Sequence, residues 1–441
     1  MFDEGEVMST ECLRGVRDAL ALLDPDVGDT ERIDQIRLLE ELKSVAAAAQ
    51  AQVVAALHAS QVRDQRERGV PAAQLGRGVA SQVALARRES PSRSRRFLGW
   101  STILLTELPQ TFAALQAGRT TEWRAQVVAR ETGWLSLEHR RAVDDEVGPL
   151  LEQWGDRRVE AEVTKRAYRL DPHGYLGRTA RAERDRRVTL RPAPDCMTHL
   201  SAALPVGQGV GVLAALRRHA DSLRGQGDER TRDQIMADTL VERVTGAASA
   251  DAAVPVRVEL VMTDQTFFNT GDGSDEPAHL VGAGTVPAEL ARRLVRVADE
   301  KAAVWVRRLY ADPDGRLVAM ESTSRRFHGA LGEFLVLRDQ VCRTPWCGAP
   351  VRHGDHVVPV DLDGATSEAN GQALCAACNL AKEAPGWRSR PDEDDGAGET
   401  VEIRTPTGHR YLSHPPDPPG SDQRPRGTPL ERIICDLAWV A

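Results

Sequence analysis

Four cysteines fall as two close pairs in one short window, Cys342/Cys347 and Cys375/Cys378, and between the pairs lie Asp355-His356 and then Asn370. The spacings C-x4-C and C-x2-C let each pair of thiolates converge on one ion, and four thiolates satisfy the tetrahedral preference of Zn²⁺. Such a closed shell has no open position for water or substrate, so the zinc is expected to be structural. It can supply ~10 to 16 kcal/mol of apparent binding energy to a unit too small to build a core of its own. Any chemistry must then come from the residues between the pairs, where a carboxylate and an imidazole stand side by side.

The elements that must position them are legible around the window. A helix from about Phe327 to Val341 leads into Cys342. Asp355 to Pro359 reads as a short strand entering a turn, and alternation sends the Asp355 and His356 side chains to opposite faces unless the backbone bends. Asp363-Gly364 offers a turn, Ser367 to Asn370 opens the return, and Leu374 to Lys382 is expected as a final helix carrying Asn379 just past Cys378. Strand, loop and helix together make a ββα-metal finger.

The rest of the chain sets the frame. At 441 residues with 41% apolar content, two or three ordinary domains are expected. The first residues, Met1 to Glu11, are acidic with no apolar run behind a basic start, so no signal peptide or membrane span is expected and the location reads as cytoplasmic. Seven cysteines, four of them in one window and Cys12, Cys196 and Cys435 scattered and inert, suit a reduced compartment with a metal site. A net charge of −8 argues against a protein that coats nucleic acid nonspecifically. Arginine is nevertheless dense at Arg87 to Arg96 and at Arg178 to Arg191, each cluster a basic face or simply a solvated one.

From about residue 8 to 180 the pattern is helical. Ile33, Ile36, Leu39, Leu42 and Val45 recur behind Asp29 and Thr30, predicting a long amphipathic helix to about His58. Another helix follows Thr120 and Thr121, with Trp123, Val127 and Val128 on its buried face and Gly133 as a left-handed C-cap; Ser136 starts the next. Near Arg187 the period changes to strand, with a hairpin through Pro194-Asp195, a strand at Val256 to Met262 paired with His279 to Val281, and a third hairpin at Val304 to Met320. The fold class is therefore α+β: a mainly helical N-terminal domain with β-hairpins, followed by a small ββα-metal domain. Expected boundaries are 1–185 for the helical part, 186–325 for the α+β part, 326–390 for the finger, and 391–441 for a Pro/Asp-rich tail with a short helix at Pro429 to Val440.

Cys342-x4-Cys347, Asp355-His356-x2-Pro359, Asn370 and Leu374-Cys375-x2-Cys378-Asn379-x2-Lys382 together resemble the HNH endonuclease motif in its four-cysteine zinc variant, over roughly residues 340 to 390. The resemblance implies His356 as general base, Asp355 and Asn379 as ligands of one catalytic divalent ion, and Asn370 as the residue that fixes the loop carrying His356. Asn379 stands where the third letter of the motif is often His. Stretches such as Ala84 to Pro91, Glu122-Trp123-Arg124 and Asp185 to Pro192 resemble the domain of unknown function, DUF 222 type, that precedes HNH domains in bacterial proteins, over about residues 30 to 320. That likeness supports the architecture and adds no catalytic residues.

Residue chemistry agrees. Phosphodiester hydrolysis needs a water deprotonated near neutral pH, and imidazole, with a reference pKa of ~6.5, is suited to it. Oxygen ligands such as Asp355 and Asn379 favour Mg²⁺ or Mn²⁺. Lys382, Arg352 and Arg388 are candidates for phosphate contacts, joined by Arg343 and Arg390, with surface solvation as the plain alternative. His353 touches a phosphate or faces solvent. Trp346 and Trp387 are expected to close a small apolar cluster around the zinc knuckle, and His409, His414 and Pro415 to Pro419 to lie in an extended tail. The expected activity is metal-dependent DNA cleavage. The alternatives are a noncatalytic zinc-stapled DNA-binding or adaptor protein, and an RNA-directed nuclease.

Overall fold

The computed structural model describes residues 9–247, 259–269, 275–281, 284–301, 327, 329–392 and 399–417. The chain divides into two compact units, one formed by Met1–Leu57 with Phe97–Tyr175, the other by His58–Arg96 with Leu176–Ala441. The helices of the first half are α1 (Thr10–Ala21), α2 (Asp29–Glu67), α3 (Val79–Arg87), α4 (Pro91–Glu107), α5 (Pro109–Gln116), α6 (Glu122–Thr132), α7 (Leu137–Val147), α8 (Asp156–Leu170) and α9 (Pro172–Arg184).

The first unit is helical among its described residues. Leu104, Leu108, Leu115, Val128, Val143, Val147, Leu151, Val159 and Val163 are fully or almost fully buried. Thr121 and Ser136 cap α6 and α7 by accepting from Arg124 N and His139 N, as their sequence positions predict. Asp144 is completely buried and caps α5, its carboxylate accepting from Gln110 N at 2.7 Å and from the Thr111 amide and hydroxyl.

Three expectations in this unit are corrected. The helix that begins at Asp29 buries Ala47, Ala48, Ala51 and Val54, whereas Ile33, Ile36, Leu42 and Val45 are exposed, because the close packing runs through the small alanine side chains. Trp123 is half exposed, stacked under the Arg130 guanidinium, while Val127 and Val128 are buried. Gly133 ends α6 at φ −59°, an ordinary right-handed value.

In the second unit the period change near Arg187 gives a ribbon of β1 (Arg187–Pro192) and β2 (Thr198–Ala203), antiparallel and in register Leu190 to Leu200. Asp195 and Cys196 at its tip both take positive φ, the signature of a type I′ turn closed by Met197 N donating to Pro194 O. Helices α10 (Val206–Gly225) and α11 (Arg232–Thr245) follow, α11 opening with a capping box between Thr231 and Gln234. Then come β3 (Leu260–Val261), α12 (Asp264–Phe268), β4 (Ala278–Leu280), β5 (Gly284–Val286) and α13 (Ala288–Lys301). β3 pairs with β4 as anticipated, Leu260 opposite Leu280 and Val261 opposite His279. The hairpin expected at Val304 to Met320 and the helix expected at Pro429 to Val440 lie outside the described residues.

The C-terminal part consists of α14 (Gly329–Asp339), β6 (His353–His356), β7 (Gly371–Leu374), α15 (Ala376–Lys382), β8 (Arg388–Pro391), β9 (Val401–Arg404) and β10 (Arg410–Ser413). β6 and β7 form an antiparallel pair against which α15 and α14 pack. Residues expected in an extended tail fold instead into the three-stranded sheet β10-β9-β8. The reason is alternation: Val401, Ile403, Tyr411 and Ser413 share one face, and Val401 and Ile403 bury themselves with Val357 and Trp387. No helix among the described residues is long and apolar enough to cross a membrane.

Candidate nuclease and zinc centre

The four cysteines come together. Cys342, Cys347, Cys375 and Cys378 are all buried and their sulfurs lie within 4.8 Å of one another. Cys347 Sγ is 3.8 Å from Cys375 Sγ and 3.7 Å from Cys378 Sγ. Four sulfurs at ~2.3 Å from a tetrahedral Zn²⁺ stand ~3.8 Å apart, so the donor set fits the ion, and no pair approaches a disulfide. Local geometry builds both knuckles. Cys375 is the N-cap of α15 and accepts from Cys378 N, while Cys342 N donates to Ala349 O around a turn in which Trp346 and Gly348 take positive φ. Hydrogen bonds among the sulfurs, that with Cys347 first, pull the Cys342 thiol down to about 7. Cys375 is likewise lowered, Cys347 and Cys378 raised, in each case chiefly through the bond with Cys342. A bound dication would hold all four as thiolates.

His356 closes β6 and is buried, with 8% of its surface exposed. Its Nε2 lies 2.8 Å from Thr366 Oγ1 and its ring packs 4.7 Å from that of Phe327. No described residue bonds to Nδ1. Burial pushes the imidazole below its ordinary pKa, Asp355 opposing and Lys382 assisting. Asp355, one residue earlier, takes the other face of the strand as alternation requires and meets α15: Lys382 Nζ is 2.5 Å from Asp355 Oδ2 and also donates to His356 O at 2.5 Å. The carboxylate contact is a charge pairing without the alignment of a directed hydrogen bond, since Oδ2 is buried and otherwise unbonded.

Asn370 spends its whole amide on the loop after His356. Its Oδ1 accepts from Val358 N at 2.8 Å, and its Nδ2 donates to Val358 O at 3.0 Å and Ala365 O at 2.7 Å. Gly364 is needed there because an added Cβ would lie 1.8 Å from Val358 O. Each such bond contributes on the order of 1 kcal/mol. Asn370→Ala is therefore expected to destabilise the finger by roughly 2 to 4 kcal/mol, read by thermal unfolding, with zinc content unchanged. A protein that melts like the wild type would sink that role.

The remaining site residues disperse. Asn379 is half buried on α15, one turn before Lys382, with no side-chain hydrogen bond among the described residues. His353, Arg352 and Arg388 are exposed without acidic partners. Arg343, expected among the phosphate contacts, is instead buried, bonded to Asp339 at 3.2 Å and to Glu399 O, and burial lowers it to about 10. Trp387 packs with Val357, Val401 and Ile403, away from the cysteines, and Trp346 is half exposed beside Arg88 and Tyr411.

Several supporting residues escape a reading by motif. Asp339 is 1% exposed and ties α14 to β7, accepting from Arg338, Arg343 and Ala373 N. Arg338 braces both ends of the Asn370 turn through Glu368 O and Gly371 O, each at 2.7 Å. The adjacent Arg338-Asp339 pair before Cys342 is the one signal available in the sequence. From far up the chain, Arg77 donates to Leu380 O and Gln82 accepts from Thr407. Gly78 beside them sits at φ +84°, where an added Cβ would lie 2.5 Å from Trp387 Nε1.

Comparison with known proteins agrees with this architecture. The family model "Domain of unknown function (DUF222)" matches residues 37–339, more than half of the chain, and the "HNH endonuclease" model matches residues 342–384. Uncharacterized protein Rv3776 of Mycobacterium tuberculosis (strain ATCC 25618 / H37Rv) is 33% identical over 143 residues, 32% of this chain and 25% of that protein. Uncharacterized protein Rv2100 of the same strain and uncharacterized protein MT2160 of strain CDC 1551 / Oshkosh are each 34% identical over 145 residues, 32% of this chain and 24% of theirs. The matched stretch thus spans about a quarter of the length of these relatives. No solved structure gives a significant match. With its helical body matched by one model and its cysteine-clustered finger by the other, the chain belongs to the DUF222 family and carries a C-terminal HNH endonuclease domain.

Proposed function

We propose that this chain hydrolyses DNA phosphodiester bonds, with His356 as the base for the attacking water and Asp355 and Asn379 as holders of one divalent ion, Mg²⁺ or Mn²⁺. The observation that carries the reading is the asymmetric anchoring of the imidazole. In the tautomer whose Nε2–H donates to Thr366 Oγ1, the lone pair resides on Nδ1, which no described residue engages. Burial keeps the ring neutral, hence able to accept a proton. Asn370 holds the turn that follows, so the ring does not swing with the loop.

Asp355 and Asn379 offer oxygen donors of the kind a hard cation takes. Asp355 Oδ2 already has a positive charge against it in the Lys382 ammonium, and Asn379 precedes Lys382 by three residues, which places both on one face of α15. When bound there, the ion neutralises charge building on the phosphate oxygens. Lys382, Arg352 and Arg388 are assigned to phosphate contacts, Lys382 after leaving its internal pair. The four reduced, buried thiols suit a reducing compartment, the cytoplasm.

The test is incubation of the zinc-loaded full chain with supercoiled plasmid, with and without Mg²⁺ or Mn²⁺, beside a structured RNA. Conversion of the plasmid to nicked or linear DNA only when a divalent ion is added is the expected result. Binding without cleavage under either ion would leave the zinc-stapled adaptor, and cleavage of RNA alone would leave the RNA-directed enzyme.

A further inference from the structure

The sheet that follows the finger carries arginines in a register that its own stability does not explain. Arg388 of β8 stands directly opposite Arg404 of β9, and Arg404 stands directly opposite Arg410 of β10. Three guanidinium-bearing residues therefore form one row across three strands, with neighbours ~5 Å apart along the hydrogen-bonding direction. Like charges directly opposite one another destabilise a sheet. Arg390, two residues along β8, projects from the same face by alternation.

The only carboxylate in that row and the next is Glu402, which is 3% exposed and lies between the strands bearing Arg390 and Arg410, paired with both. Arg388 and Arg404 have no acidic partner among the described residues and are exposed. Some exposed arginines elsewhere meet acids, as Arg230 does with Asp228 and Asp238, and others, such as Arg95, Arg186 and Arg352, have no acidic partner among the described residues. What sets the sheet apart is the alignment of Arg388, Arg404 and Arg410 in one cross-strand row, in a chain whose net charge is −8. The opposite face of the sheet is committed to packing, with Val401 and Ile403 buried against Val357, the residue next to His356. The arginine face is thus outward and rigidly attached to the finger.

We propose that the row Arg388–Arg404–Arg410 is a binding surface for the phosphodiester backbone of nucleic acid, which tracks the substrate past the finger. A row of cations held at fixed spacing by the strands matches a linear polyanion, whereas a single carboxylate or free phosphate could engage two of them at most. Counterion release on neutralising each phosphate supplies the favourable term, and the like-charge repulsion in the free sheet is relieved on binding. Arginine suits the role because its fork donates two parallel bonds to phosphate oxygens. The surface rests on the nuclease reading only for the identity of its polyanion; binding here requires no turnover.

The test is built on that separation. In buffer without divalent ions, fluorescence anisotropy of a labelled short DNA duplex is followed against salt for the zinc-loaded full chain and for Arg388→Gln/Arg404→Gln. The double variant should bind at least about tenfold more weakly near ~0.1 M salt, and the slope of log Kd on log salt should flatten by about 0.9 per cation removed. Arg404→Lys should retain the slope. A second measurement, melting at low salt without phosphate, distinguishes a binding row from a structural one: Arg404→Gln should melt higher than the wild type. Unchanged affinity and slope in the double variant, or a lower melting temperature in Arg404→Gln, would overturn the proposal. Either result would leave plasmid cleavage and its His356 dependence where they stand, and unchanged affinity would withdraw Arg388 alone from the assigned phosphate contacts.

Discussion

A Cys378→Ser protein is expected to lose its zinc and, with it, the folded finger from Cys342 to Ala384. Cys378 is buried, its sulfur is 3.7 Å from that of Cys347, and its amide completes the Cys375 cap of α15. Removing one ligand leaves three thiolates repelling one another in an apolar setting, where the cluster's own apolar company is little more than Leu374, Ala349 and Ala377. A core of that size cannot replace a metal contribution of ~10 kcal/mol or more. Zinc content by mass spectrometry should fall from about one ion per chain to none. The near-ultraviolet dichroism contributed by Trp346, which stands next to Cys347 inside the first knuckle, should collapse. A protein that keeps its tryptophan signal and its melting transition without metal would show that the four sulfurs merely pack.

Cleavage by His356→Ala is expected to fall by ~10² to 10⁴-fold, the usual worth of a positioned general base, while zinc content stays unchanged. Because the ring also packs on Phe327 and is buried, truncation alone will cost some stability. The volume-conserving His356→Asn is the proper companion: it preserves filling and lacks a base. Rates falling together in both variants, with melting falling only in the alanine protein, separate chemistry from packing. Undiminished cleavage in His356→Asn would remove the mechanism. Thr366→Val supplies a graded control, since it deletes only the hydrogen-bond partner of Nε2 and should slow the reaction less than loss of the imidazole.

The finger was legible because its signals are local. Cys342-x4-Cys347 and Cys375-x2-Cys378 each close a turn within a few residues, and α15 follows from Cys375 as N-cap. Asn370 is tied to the loop carrying His356 only through the resemblance of the motif, and its amide does bond Val358 and Ala365 in the loop after His356. In the helical body Thr121 and Ser136 announced α6 and α7 for the same reason: a side-chain oxygen reaching an amide three residues ahead needs no tertiary partner. Periodicity was a weaker guide. It gave α2 but selected Ile33 and Ile36 as buried, since apolar repeats mark a face without stating that anything covers it.

What the sequence alone determined is thus a zinc-type ligand set, a carboxylate–imidazole pair on a short strand, and a helical body preceding them, all consequences of residue type and short spacing. Only the tertiary structure decided that Arg343 is interior while Arg404 is exposed, that Lys382 neutralises Asp355, that Thr366 fixes the imidazole, and that Arg388, Arg404 and Arg410 line up across three strands. Burial and cross-strand register depend on segments separated by loops, and loop composition does not specify which partner the returning chain will meet.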